Sequence, residues 1–204
     1  MKTNVYIDAF NLYFGAVKRT PYRWLDIEKM CRLLLPHNQL HKIKYFTALV
    51  SPRPHDTEQP LRQQMYLRAL KTIPNLEIIF GHFLTHEVTM PLAPPAKGFV
   101  KVLKTEEKGS DVNLATHLLV DAFNNDFEMA VVVSNDSDLA EPLRFVSSQL
   151  KKPVGILNPQ KKPSRTLISI AKFYKPIRQG VLEASQFANI LQDKHGQFHK
   201  PNSW

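Results

Sequence analysis

The sequence has a single cysteine, Cys31, among 204 residues. One thiol excludes an internal disulfide and a zinc site built from several cysteines. No apolar run reaches the ~20 residues that a membrane-spanning helix needs, so no membrane partner is expected. A strand is predicted to begin within a few residues of Met1, which leaves no room for a signal peptide. We therefore expect a cytoplasmic protein.

Acidic residues are absent from the segment 142–182. Its basic side chains account for the whole formal net charge of +9, and they are Arg144, Lys151, Lys152, Lys161, Lys162, Arg165, Lys172, Lys175 and Arg178. A basic segment in a chain that also carries acidic motifs suits a polyanionic partner, because Lys and Arg neutralise phosphates. The alternative is a solvated basic surface that binds no partner.

Short apolar runs alternate with segments of helical spacing along the chain. Strands are predicted at residues 5–7, 43–50, 76–83, 131–133, 153–157 and 173–177. This alternation predicts an α/β protein, a Rossmann-like three-layer α/β/α sandwich with a mostly parallel sheet. Residues 1–175 are predicted to form one domain, followed in 176–204 by a helix at 183–191 and a polar, mobile tail. Residues 86–98 are predicted to be an irregular loop, and 99–104 an edge strand or hairpin arm.

Acidic residues follow two of the predicted buried strands. Asp8 follows the first strand, and Asp136 and Asp138 follow the strand at 131–133. The carboxyl ends of parallel strands meet at one edge of the sheet, where open α/β folds bind ligands. Asp111, in the first turn of a predicted helix, is placed to join them. Asp121, further along that helix, is interpreted as a surface or helix-end residue.

Clustered carboxylates repel one another and are tolerated mainly when a cation lies among them. We therefore expect Mg²⁺ or Mn²⁺ at this edge. Such a site activates water and stabilises the charge that develops during displacement at phosphorus. The alternative is that the acids cap helices or are solvated.

Three motifs, at residues 5–11, 107–115 and 133–139, carry a resemblance to a known family. In their order and spacing the chain resembles the NYN family, the LabA-like branch of the PIN-like nuclease superfamily. The resemblance implies a metal-dependent ribonuclease whose metal-ligating or water-positioning acids are Asp8, Asp111, Asp136 and Asp138. It also matches Asn11 and Ser134 to polar positions beside that site. Some relatives carry an acid where this chain has His117, which leaves the number of functional carboxylates open.

The hypothesis from the sequence is a divalent-metal-dependent endoribonuclease with RNA as its partner. Lys108, Lys161 and Lys162 are predicted to contact phosphates, and Asn11 to position substrate or water. Arg53 and His55, in the loop after the second strand, could face a substrate, but solvated surface is the favoured interpretation. The main alternative is a non-catalytic RNA-binding or regulatory module.

A haloacid-dehalogenase-type phosphatase is a third hypothesis. It is disfavoured because Phe10 stands two residues after Asp8, where that chemistry needs a second acid. The sequence leaves the oligomeric state open, including a homo-oligomer.

Overall fold

The computed structural model describes the whole chain, residues 1–204. The strands are β1 (Lys2–Asp8), β2 (Gln39–Thr47), β3 (Leu76–Phe80), β4 (His82–Pro91), β5 (Phe99–Lys108), β6 (Met129–Val133), β7 (Val154–Asn158), β8 (Phe173–Pro176), β9 (Ile190–Asp193) and β10 (Gly196–His199). The α-helices are α1 (Ala9–Leu12), α2 (Ile27–Leu34), α3 (Gln59–Leu70), α4 (Ser110–Phe123), α5 (Ala140–Arg144), α6 (Arg165–Ile170) and α7 (Gln179–Ala184). A π-helical turn, Tyr13–Val17, extends α1, and a 3₁₀ turn, Ser137–Leu139, precedes α5. None of these helices has both the length and the apolar character needed to cross a membrane.

Six parallel strands form the central sheet in the order β3-β2-β1-β6-β7-β8. The chain builds one half of the sheet outward from β1 and then returns to the middle to build the other half outward from β6. This is the doubly wound order of Rossmann-like folds. The predicted α/β class with a mostly parallel sheet is confirmed. The order reverses between β1 and β6, so the crevice at their carboxyl ends is the topological switch point.

The two central strands are buried on both faces because their side chains alternate between two separate cores. In β1, Val5 and Ile7 pack into the core that includes residues of α2 and α3, while Tyr6 packs into the core that includes residues of α4 and α5. In β6, Val131 and Val132 divide in the same way. A strand covered on both sides reads as a continuous apolar run, as these two do.

Strands β4 and β5 form an antiparallel hairpin separate from the central sheet. The prediction of an irregular loop at 86–98 is therefore wrong for residues 86–91. The prediction was based on the prolines of this segment. Pro91 ends β4, and Pro94 and Pro95 lie in the turn, where they remove no hydrogen bond between the strands. The prediction that residues 99–104 form a hairpin arm is confirmed.

The C-terminal segment differs from its prediction. The helix predicted at 183–191 is wrong, because α7 ends at Ala184 and Ile190 already begins β9. Instead of a mobile tail, β9 and β10 form a hairpin whose Phe198 joins the core beside β1. Arg68 of α3 holds this hairpin through two hydrogen bonds to Asp193, of 2.8 and 2.7 Å. The domain division at residue 175 stays a prediction.

Asp121 lies on the buried face of α4, so its interpretation as a surface residue is wrong. Its Oδ2 accepts hydrogen bonds from the Lys44 ammonium at 2.6 Å and the Tyr6 hydroxyl at 2.8 Å. Lys44 also lies 3.2 Å from Nδ1 of His117. These contacts tie α4 to β1 and β2 on the face of the sheet, so His117 belongs to this network and does not line the crevice at the switch point.

Candidate active site

Asp8 lies at the end of β1, directly at the switch point, and is only 5% exposed. Its Oδ1 accepts a hydrogen bond of 2.9 Å from the Asn11 backbone N–H, which caps α1. Its Oδ2 accepts a hydrogen bond of 3.0 Å from the Ser134 hydroxyl. Both carboxylate oxygens are therefore held in place by groups that follow the two central strands.

Asp136 follows β6 and belongs to the same network. The Ser134 hydroxyl accepts a hydrogen bond of 3.1 Å from the Asp136 backbone N–H. The Asp136 carboxylate in turn accepts one of 2.9 Å from the Asp138 backbone N–H, which caps the 3₁₀ turn before α5. The segment between β6 and α5 thus fixes the Asp136 side chain beside Asp8.

The third predicted acid, Asp111, comes from the first turn of α4. Gly109 allows the sharp entry to this helix, with a left-handed φ of 96°. Glu107 then accepts two hydrogen bonds from Ser110, at 3.1 Å from its backbone N–H and 2.6 Å from its hydroxyl. Glu107 was missed as a site residue, although it lies within the motif at residues 107–115.

The acids interact electrostatically. Burial raises the pKa of Asp8 to about 6. The charges of Asp111 and Asp136 also raise this pKa, whereas the hydrogen bonds from Asn11 and Ser134 lower it. Burial also raises the pKa of Asp111, as do the charges of Asp136, Glu107 and Asp138. Like charges held this close disfavour the ionised form of each carboxylate. A cation among them would relieve this repulsion.

One cleft of about 950 Å³ contains most of the predicted acids. Asp8, Asp111 and Asp136 line it, together with Glu107. Asp138 does not line it: its side chain is exposed, although its charge still raises the pKa of Asp111. Three of the four predicted acids are therefore brought together in the cleft.

The predicted metal site is not preassembled. No group of three or more His, Cys, Asp and Glu side chains has an arrangement that could hold a metal ion. Both oxygens of Asp8 and one oxygen of Asp136 already accept hydrogen bonds from the chain. The donor chemistry nevertheless fits, because carboxylate oxygens are the ligands that Mg²⁺ and Mn²⁺ prefer and each retains free lone pairs. Asp8, Asp111 and Asp136 carry such oxygens, and to hold an ion together their side chains would have to move closer to one another.

Asn11 joins three loops at the carboxyl edge of the sheet. Its side-chain oxygen accepts hydrogen bonds from the Asn135 backbone N–H at 3.1 Å and from Gln160 Nε2 at 3.4 Å. Asn135 extends the network, because its side-chain oxygen accepts a hydrogen bond of 2.7 Å from the Ser164 backbone N–H. Asn11 lines the cleft, but its amide oxygen holds the loops after β6 and β7 in place.

The lysines predicted to contact phosphate lie outside the cleft. The ammonium of Lys108 lies 3.3 Å from Glu106. Lys161 and Lys162 are exposed, and Lys162 contributes its backbone carbonyl to the site by accepting from Asn135 Nδ2 at 3.0 Å. Net charge identified a basic segment, but it did not indicate which way these side chains point.

Other cations line the cleft. They come from the segment after α1, from the segment after β2 and from α3, and they are Lys18, Arg19, Arg23, Arg53 and Arg62; His55 also lines the cleft. Arg53 and His55 are exposed, as their interpretation as solvated surface expects, and both also line the cleft, where they could face a substrate. These segments join the acidic motifs only in the folded chain, so local sequence gave no signal for the set.

Comparisons with known proteins agree with this architecture. The family model of the NYN domain matches residues 2–178. The 6-hydroxy-3-succinoylpyridine 3-monooxygenase HspA of Pseudomonas putida (strain DSM 28022 / S16) is 28% identical over 236 aligned positions, which cover 100% of this chain and 75% of that relative. The crystal structure of a protein of unknown function from Vibrio parahaemolyticus RIMD 2210633 aligns with a TM-score of 0.58 and 20% identity, over 87% of this chain and 93% of that one. This last likeness concerns the fold alone.

Proposed function

Because this chain belongs to the NYN domain family, within the PIN-like nuclease superfamily, we propose that it is a divalent-metal-dependent endoribonuclease. The observation that carries the proposal is the meeting of three acids from separate segments in one cleft. Asp8 enters it from the end of β1, Asp136 from the segment after β6, and Asp111 from the start of α4. Ligands of doubly wound folds bind at this position.

In the proposed reaction, Asp8, Asp111 and Asp136 hold Mg²⁺ or Mn²⁺. The ion supplies activation of the attacking water and neutralises charge that develops at the phosphorus. Ser134 keeps the Asp8 carboxylate oriented and favours its ionised form by donating to Oδ2. Glu107 orders the start of α4 through Ser110 and so positions Asp111. The arginines of the cleft attract the RNA backbone, an interaction that weakens as salt is added.

The direct test is cleavage of fluorescently labelled RNA by the purified chain with Mn²⁺ or Mg²⁺. Single-stranded and hairpin substrates are compared, and EDTA provides the metal-free control. Asp136→Asn keeps the cap on the 3₁₀ turn but removes the charge, so we expect a loss of about 100-fold or more. Glu183→Gln changes an exposed acid outside the cleft and is expected to cut like the unaltered chain. Cleavage that persists in EDTA or in Asp136→Asn contradicts the proposal.

A non-catalytic RNA-binding module is the second candidate function. It is favoured by one observation, the absence of a preassembled metal-binding group among the acids. This function requires RNA binding that needs no divalent cation. The module is supported over the nuclease if the unaltered chain cleaves no RNA and shifts RNA in a gel equally with and without EDTA. Asp136→Asn should then shift RNA as strongly as the unaltered chain.

The name of the Pseudomonas relative raises a third candidate, oxygenation of a hydroxylated pyridine. Aromatic side chains of the cleft, including Phe10, Phe14 and Phe83, suit a flat ring. The turn after β1 favours the nuclease, because it carries Asp8 and Asn11 where dinucleotide-binding Rossmann folds carry a glycine-rich sequence. The test is incubation with 6-hydroxy-3-succinoylpyridine, dioxygen and NADH. Formation of a product with one added oxygen atom supports the oxygenase.

A further inference from the structure

The cleft carries cations that no acid neutralises. Arg62 is paired with Asp56 through a hydrogen bond of 2.6 Å, and it also lies near Glu58. Arg19, Arg23, Arg53 and Lys18, by contrast, have no carboxylate within ion-pair distance. They belong to different segments from the acid cluster. The cleft therefore offers one set of groups to a cation and another set to an anion.

Arg23 is the most constrained of these cations. One of its terminal nitrogens donates a hydrogen bond of 3.1 Å to the Lys18 carbonyl oxygen, whereas its buried Nε has no acceptor in the chain. The neighbouring Trp24 is fully buried and fixes the backbone by donating a hydrogen bond to the Ala188 carbonyl. The Nε N–H is shielded from solvent, so an anion in the cleft would be bound by the terminal guanidinium nitrogens of Arg23, which lines the cleft wall.

Phe14 presents an aromatic face to the same cleft. Its side chain is 53% exposed, although the residue lines the cleft. Lys18 Nζ lies 4.8 Å from the centroid of the Phe14 ring, and the Lys18 carbonyl accepts the hydrogen bond from Arg23. Phe10 stacks with Phe14 at a centroid distance of 6.5 Å. With these neighbours in place Phe14 is still 53% exposed, so part of its ring is open to a ligand in the cleft. Exposed aromatic faces next to cations are typical of sites that stack nucleobases and neutralise their phosphates.

We propose that Phe14, Lys18 and Arg23 form a subsite for an aromatic ring that carries an anionic group. This proposal rests on the endoribonuclease function proposed above. In that function the ring is the base, and the anionic group is the phosphate, of a nucleotide beside the scissile bond. The RNA is then single-stranded at the cleft, because a paired base has no free face to stack on Phe14. A small aromatic carboxylic acid offers the same ring and charge.

The test measures binding apart from cleavage. Fluorescein-labelled hexauridylate is titrated against the Asp136→Asn chain in EDTA, with fluorescence anisotropy as the readout. Adding Arg23→Ala or Phe14→Leu is expected to weaken binding about 10-fold, because one charged contact or one stacked base is lost. Lys71→Ala removes an exposed cation outside this cleft and is expected to change binding less than twofold. Phe14 is largely exposed, so its substitution leaves the fold intact even if Arg23→Ala does not.

A second titration with nicotinate distinguishes the two sources of the ring and anion. Hexauridylate binding that falls with both cleft substitutions but not with Lys71→Ala supports the nucleotide subsite. Nicotinate binding that is lost in Arg23→Ala, without any RNA binding, supports the subsite but contradicts the endoribonuclease. Equal hexauridylate binding by all variants, or no binding of either probe, overturns the subsite even if the unaltered chain cleaves RNA.

Discussion

The Ser134 hydroxyl donates a hydrogen bond of 3.0 Å to Oδ2 of Asp8 and thereby joins the ends of the two central strands. Ser134 is fully buried, and its oxygen also accepts the Asp136 backbone N–H. One hydroxyl therefore positions two of the acids that line the cleft. Removal of this hydroxyl therefore tests the network directly.

Substitution of Ser134 by Ala is expected to lower RNA cleavage about 10-fold, the loss that corresponds to one hydrogen bond to a charged group. The Asp8 carboxylate loses a donor that favours its ionised form, so its pKa rises further and the acidic limb of the pH–rate profile moves to higher pH. The measurement is cleavage rate against pH. Ser148→Ala, at an exposed serine after α5, is the matched control. An unchanged profile for Ser134→Ala shows that this bond has no part in the reaction.

Asp8→Asn is expected to stabilise the metal-free chain at pH 7.5 by about 1–3 kcal/mol. The pKa of Asp8 in the folded chain is about 6, above the ordinary value of 3.8, so its ionised form is disfavoured by folding. This destabilisation is fully present above pH 6 and disappears as the pH falls toward 4. Urea unfolding at several pH values checks it: the two chains should differ most at pH 7.5 and converge near pH 4. If the free energies of unfolding of the two chains differ by the same amount at every pH, the difference arises from packing and not from the Asp8 charge.

Divalent cations are expected to raise the melting temperature of the unaltered chain but not of Asp8→Asn. Binding to the folded state alone stabilises it by about 2.7 kcal/mol when the cation is present at 100 times its dissociation constant. Thermal melts are recorded with Mg²⁺, with Mn²⁺ and with EDTA, and Glu183→Gln serves as the control. Equal shifts for Asp8→Asn and the unaltered chain would indicate binding elsewhere on the protein.

Phe198→Ala is expected to destabilise the chain by about 3–5 kcal/mol. Phe198 is 3% exposed and packs into the core that includes β1, and Arg68 lies over its ring at 4.2 Å. Chemical denaturation measures the loss, with Phe123→Ala as the control because Phe123 is 60% exposed. A loss below 1 kcal/mol for Phe198→Ala would mean that the C-terminal hairpin is not part of the cooperative fold.

The central sheet could be predicted from the sequence because its strands are covered on both faces. Continuous apolar runs such as residues 131–133 leave few alternatives, and an acid at the end of each central strand then lies at the same edge. Asp8 and Asp136 were predicted to meet for that reason, and both line the cleft. Local spacing thus predicted the parts of the site that depend on where strands end.

Contacts between distant segments could not be predicted in the same way. Asp121 pairs with Lys44, 77 positions away, and no local pattern indicates that partner. The orientation of Arg23 toward the cleft depends on how the segment around Trp24 packs against residues near Ala188. The first strand of the hairpin, β4, was missed because proline was interpreted as a loop signal, although Pro91 occupies a strand end. The first two cases concern long-range packing, whereas the third concerns a local signal.

The separation of Asp8 and Ser134 along the chain also sets an order of events during synthesis. Asp8 leaves the ribosome 126 residues ahead of the hydroxyl that holds it. Strand β1 can pair with β2 early, but its other edge stays open until β6 has emerged. The candidate site therefore does not exist on a growing chain that ends before β6, however well its first half has folded. Any activity that depends on this site begins only after the second half of the sheet has been made.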